Sequence, residues 1–178
     1  MSDQLIPAHG GYRTLKSFQN ATIVYDFTVE FCKHFVKDYR MRDQMIQAAR
    51  SGRQNIAEGC QASGTSKKTE MKLVNVARAS LEELLLDYED FLRQRDLMKW
   101  TKEDERAKEV RQLAYANHRS YTTYMIYISN HEIAANVATC LIHQTNFLLD
   151  QQLKVLSDAF VANGGFTERL YRSRSIRV

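Results

Sequence analysis

Leu15, Phe18, Thr22, Tyr25, Val29, Cys32 and Val36 recur at alternating steps of three and four, the spacing of a helix seam packed in a bundle. Val24, Phe27, Phe31 and Phe35 form a second row beside it, so the apolar arc is wider than one seam. Two readings stand: a deeply buried helix, or a helix with one row packed against another subunit. A second helix over residues 41–60 turns Met45, Ala48, Ala49, Gly52, Ile56 and Gly59 inward, and these small residues suit close helix approach. Gly52 lowers helix propensity by roughly 1 kcal/mol relative to Ala, which tertiary packing must offset. Residues 61–66 are a polar loop ending in Ser66, a candidate N-cap, with Glu70 in the following first turn.

Met71, Val74, Ala77, Leu81, Leu84, Tyr88 and Phe91 sustain a stripe over residues 67–95, which as a helix would run on the order of 40 Å. Thr101, with Asp104 three residues later, has the form of a capping-box start for a short charged helix reaching residue 116. Residues 117–130 hold Tyr121, Tyr124, Met125, Tyr127 and Ile128 and are assigned to helix, although their aromatic content also suits an extended connection. The last long helix spans residues 131–163, with Ile133, Val137, Cys140, Leu141, Leu148, Val155 and Leu156 inward, and the Asn163-Gly164-Gly165 run ends it. The pattern predicts an all-α chain: an antiparallel up-and-down four-helix bundle with an extra short helix between the third and fourth long ones. Residues 1–14, with Pro7 and Gly10-Gly11, are a flexible or loosely packed lead-in; residues 15–163 are the bundle; residues 164–178 are a partly ordered basic tail.

Composition agrees, since one Pro and seven Gly are too few for the connections of a sandwich or barrel. Cys32, Cys60 and Cys140 are odd in number and flanked by apolar residues, which suits buried thiols in a reducing compartment. With no leader-like N-terminus and no apolar run of about eighteen residues, the cytoplasm is the expected location. Net charge is +4, distributed unevenly. Between Arg40 and Arg78 eight Lys/Arg face three Asp/Glu, and from Arg169 to Arg177 four Arg stand without an acid. Glu82, Glu83, Asp87, Glu89 and Asp90 are the acidic counterweight.

The stretch Gln44-Met45-Ile46-Gln47-Ala48-Ala49-Arg50-Ser51, then Asn55-Ile56-Ala57-Glu58-Gly59, resembles a four-helix-bundle family first met as proteins encoded by intervening sequences in bacterial large-subunit ribosomal RNA genes. Val76-Ala77-Arg78-Ala79-Ser80-Leu81-Glu82-Glu83 resembles its third-helix motif. Residues 135–136, 140–144, 148–150 and 164–169 resemble a C-terminal suffix segment found in a subset of that family. The resemblance implies a helical bundle that assembles as a homopentamer. It also implies kinship with retroelement accessory proteins that bind nucleic acid and a reverse transcriptase. The longer connection at residues 100–130 and the Arg-rich tail depart from the usual form.

No chemistry-bearing pattern competes with this reading. There is no Glu-x-x-His pair, no two of His9, His34, His118, His131 and His143 lie four apart, and Gly59 to Gly64 lacks the features of a phosphate loop. Cys140 and His143, three apart, could be read as a nucleophile pair but are better read as packing groups. No enzyme, metal or cofactor is expected. Ser51, Asn55 and Glu58 align on one face of the second helix, as a ligand site or as a polar network fixing helix register. The leading functional expectation is a non-catalytic oligomer binding RNA or ribonucleoprotein, with Arg50, Arg53, Lys67, Lys68, Lys72 and Arg78 facing phosphates. The alternative is an oligomeric protein–protein adaptor whose basic residues are merely solvated.

Overall fold

The computed structural model describes residues 9–116 and 120–175, apart from the side chains of Arg169, Arg172 and Ser173. Pro7, residues 117–119 of the aromatic connection, and the tail residue Arg177 therefore lie outside the described residues, as do the side chains of Arg169 and Arg172. The chain is all-α: helices α1 (Lys16–Phe35), α2 (Tyr39–Ala62), α3 (Lys67–Arg93), α4 (Glu105–Gln112), α5 (His131–Asn163) and α6 (Phe166–Ser175), with no strand among the described residues. Short 3-10 turns occupy Tyr12–Thr14, Leu113–Tyr115 and Tyr121–Ser129.

Local chemistry sets the helix starts. Asp38 Oδ1 accepts from the Met41 amide at 2.7 Å to open α2, Ser66 Oγ accepts from the Thr69 amide at 3.1 Å to open α3, and Asn130 Oδ1 accepts from the Ile133 amide at 3.0 Å to open α5. The capping-box reading of Thr101 is corrected. Asp104 is itself the cap, accepting from the Arg106 amide at 2.9 Å, and α4 begins after it. The aromatic connection is not α-helix but a 3-10 run opened by Ser120. The tail is corrected too: Gly164, at φ 69°, stops α5, and a separate helix α6 follows.

The four long helices touch in a closed cycle, α1 on α2, α2 on α3, α3 on α5 and α5 on α1. Named contacts match the end of one to the start of the next. Cys32 Sγ lies 3.9 Å from Met45 Sδ near the α1–α2 turn, while the Gly10 amide reaches the Cys60 carbonyl at the opposite end. Ser17 Oγ donates to Gln152 Oε1 at 2.7 Å, and the rings of Phe35 and His131 lie 6.0 Å apart, so α1 meets α5 along its whole length. Inside the cycle, the Tyr88 hydroxyl donates to Thr28 Oγ1 at 3.0 Å, satisfying a polar tip in a site where the Tyr88 ring is fully buried.

On α1 the buried strip draws on both rows. Val24, Phe27 and Phe31 of the second row and Cys32 and Val36 of the first are buried, joined by Ala21, Ile23 and Thr28, whereas Leu15, Phe18, Thr22, Tyr25 and Val29 of the first row and Phe35 of the second lie half-buried at its margin. Phe27 and Phe31 are thus internal packing. On α5 nothing beyond Leu149 is buried, and Val155, expected inward, is exposed. The reason is reach: Gln152 already meets Ser17, at the start of α1, so later turns have no α1 to pack against.

All six inward α2 residues are buried. Gly52 explains the closeness of α2 and α3, since a Cβ there would sit 2.7 Å from both Cγ and Cδ2 of the fully buried Leu81. Gly52→Ala gains about 1 kcal/mol of helix propensity, but overpacking of this kind typically costs about 1–3 kcal/mol. The expected net result is a lower urea midpoint at unchanged slope; a midpoint above that of the parent would contradict this contact.

Candidate nucleic-acid interface

The six basic residues divide into two sets. Arg50, Lys68 and Lys72 are exposed and make no ion pair among the described residues. Lys68 and Lys72 stand one turn apart at the start of α3, whose first turn is anchored by the Ser66 cap. The other three are occupied. Lys67 Nζ lies 2.9 Å from Oε2 of the buried Glu70, Arg78 Nε lies 2.6 Å from Asp150 Oδ1 on α5, and the Arg53 guanidinium sits 4.3 Å above the Tyr25 ring. Arg53 also lowers the pKa of Asp26 on α1, although burial is the larger influence and leaves that carboxyl above its ordinary value. As phosphate contacts, Arg53, Lys67 and Arg78 would first have to give up these partners.

Sequence spacing could not reveal two of those partners. Arg78 and Asp150 are separated by 72 residues, and Tyr25 faces Arg53 only because α1 folds back on α2. Lys67 and Glu70, three apart on one helix, were legible.

The polar row on α2 is only partly joined. Asn55 Nδ2 donates to the Ser51 carbonyl at 2.9 Å and to Ser51 Oγ at 3.1 Å, and Ser80 Oγ of α3 donates to Ser51 Oγ at 3.2 Å. Glu58 is exposed and takes no part. The third member of the network is therefore Ser80, which comes from the neighbouring helix.

Ser51 and Ser80 also line a groove of about 590 Å³ between α2 and α3, together with Gln44, Gln47, Glu83 and Asp87 among others. Burial raises the Asp87 carboxyl above its ordinary range, and the nearby negative charges of Glu83 and Asp90 add to the rise. A carboxyl raised by folding costs nothing while it is protonated in both states, and it weakens the native state increasingly as pH rises from the ordinary value through the raised one. Asp87→Asn is accordingly expected to raise the melting temperature at pH 7 and to gain less at about pH 4, near the ordinary carboxylate range. Equal gains at both values would rule out this origin.

The thiols show the opposite of activation. Burial pushes Cys32 up to about 12 and Cys140 up to about 11, and raises Cys60 as well, whereas a nucleophilic cysteine needs a lowered value. Among the described residues, no three His, Cys, Asp or Glu side chains are grouped so as to hold a metal ion. Nor is any described helix long and apolar enough to cross a membrane.

No curated protein and no solved structure matches this chain. A family profile does, that of the 23S rRNA-intervening sequence proteins, over residues 14–118. That interval contains α1 to α4 and all six basic candidates, and ends before α5. With more than half its length matched, the chain belongs to the 23S rRNA-intervening sequence protein family.

Proposed function

We propose that this protein is a non-catalytic, cytoplasmic, oligomeric helical bundle that binds nucleic acid, RNA or a ribonucleoprotein, through a basic surface. The carrying observation is the exposure of Arg50, Lys68 and Lys72, without ion-pair partners among the described residues, on the helices that the family match covers. Phosphate recognition needs repeated positive charge on a stable frame, and no reacting group. The cycle of four long helices is read as an antiparallel up-and-down bundle, a frame rigid enough to hold those charges. A homopentamer is the assembly implied by the resemblance, and fivefold repetition would turn three cations into a ring. A reverse transcriptase is the protein partner the same resemblance implies.

The test is binding of purified protein to an RNA, a single-stranded DNA and a duplex over a salt series, with mass measured by light scattering. The reading expects affinity that falls linearly in log–log form with salt, by about 0.7–0.9 in slope per phosphate neutralised. Absence of binding at low salt would defeat it and leave the adaptor reading. That second reading draws on Val155 and Val161, two exposed apolar side chains on the last turns of α5 with no use in phosphate binding.

A further inference from the structure

Between α1, α4, α5 and the connection leading into α4 lies a cleft of about 730 Å³, within the range of about 300–1,000 Å³ common to small-molecule sites. Its walls include the side chains of Ala107, Cys140, Phe147 and Leu148, with the buried Trp100 indole among them. Burial keeps the Cys140 thiol neutral, so it adds no charge.

Two polar atoms at this cleft are buried and unpartnered: Trp100 Nε1, a donor, and Gln144 Oε1, an acceptor. The Trp100 backbone is fixed by its amide donating to Asn136 Oδ1 at 2.7 Å, and the Arg106 guanidinium lies 4.7 Å from the centre of its ring. Gln144 Nε2 makes a long contact of 3.4 Å to the Arg111 carbonyl. Buried polar groups in native proteins nearly always find a partner. Neither atom is open to solvent as the side chains stand, so a bound molecule supplies both partners once the Trp100 and Gln144 side chains turn toward it.

The charge around the cleft specifies more. Lys16, Lys102 and Arg111 line it without an ion pair among the described residues, the Arg111 guanidinium donating to the Lys102 carbonyl at 2.7 Å, and no carboxylate is among the lining residues. Lys99 also lines it but is engaged by Glu89. We propose that this cleft binds a small aromatic anion carrying an N–H or O–H donor: rings against the apolar wall, an acceptor for Trp100 Nε1, a donor for Gln144 Oε1, and negative charge opposite Lys16 and Lys102. This site is independent of the α2–α3 basic surface.

The probe is 8-anilinonaphthalene-1-sulfonate, compared with N-phenyl-1-naphthylamine, which keeps the rings and the N–H but lacks the sulfonate. Trp100 is the sole tryptophan of the chain, so quenching of its emission reports bound dye, and loss of that quenching in a cleft-filled variant ties the signal to this site. One sulfonate probe per chain is expected, bound at least about tenfold tighter than the neutral amine. The double variant Lys16→Gln, Lys102→Gln should narrow the gap between the two affinities, Arg111 keeping the remainder. Gln144→Leu should weaken both probes, and Ala114→Phe, which fills the cleft, should abolish both while circular dichroism and melting temperature stay near the parent. If Ala114→Phe fails to fold, the two surface-lysine substitutions and Gln144→Leu still decide. Several dyes per chain, equal affinity for both probes in the parent, or undiminished binding to a folded cleft-filled variant would overturn the assignment. So would dye binding that weakens as protein concentration rises, since a second copy would then be the occupant.

Discussion

Phe31→Ala is expected to cost about 3–5 kcal/mol, the range for removing a fully packed aromatic ring from a core. Phe31 is fully buried, and its ring centroid lies 4.8 Å from Tyr88, 4.9 Å from Phe91 and 5.3 Å from Phe35, each in an edge-on arrangement. Truncation would empty the place where side chains of α1 and the far half of α3 meet across the core and leave the Tyr88–Thr28 hydrogen bond beside a void. Phe35→Ala should cost distinctly less, because Phe35 is only half-buried. Urea unfolding of both variants measures the difference. A Phe31→Ala loss below about 1 kcal/mol, or one smaller than that of Phe35→Ala, would contradict the packing described for α1.

The second large effect concerns binding. Reversing Arg50, Lys68 and Lys72 together to Glu is expected to lower RNA affinity by at least about tenfold, equivalent to about 1.4 kcal/mol. The salt dependence should flatten by about 0.7–0.9 per lost phosphate contact. These three are the clean choice because exposed substitutions usually alter stability by about 0.5 kcal/mol or less. Lys67 is a poor choice: without it the buried Glu70 loses its cation, and fold and binding would fail together. A folded triple variant that binds as tightly as the parent, with the same salt slope, eliminates this surface. Truncation after Gly165 then tests the tail arginines, and if that also changes nothing the adaptor reading stands.

Much of the fold was legible because long helices write their period into the sequence. The α3 stripe, the small-residue face of α2 and the Ser66 cap were read correctly from spacing and residue type. The two rows of α1 show where spacing stops. Both have helical period, and how far each is buried depends on how α1 is rotated toward α2 and α5, a quantity no single helix encodes. At Asp104 two residues of good capping chemistry compete three positions apart, and the later one wins because α4 starts only after a turn at residues 102–103. The basic surface was legible as composition and not as geometry. Which cations are free depends on long-range partners: Asp150 for Arg78 and Tyr25 for Arg53. The cleft beside Trp100 left no trace in spacing, since its two unpartnered atoms come from residues in different elements.

Asn136 gives the irregular passage between α3 and α4 a peptide-like neighbour. Its carboxamide accepts from the Trp100 amide at 2.7 Å and donates to the Met98 carbonyl at 2.8 Å, as a backbone unit of an adjacent strand would. One helical side chain thus fixes the two loop residues by polarity, one oxygen to one N–H and one N–H to one oxygen. The passage can therefore vary in what its side chains are but not in how many residues separate Met98 from Trp100. A one-residue insertion there would leave one half of the carboxamide unmatched. Asn136→Asp, nearly identical in shape, would set an oxygen against the Met98 carbonyl.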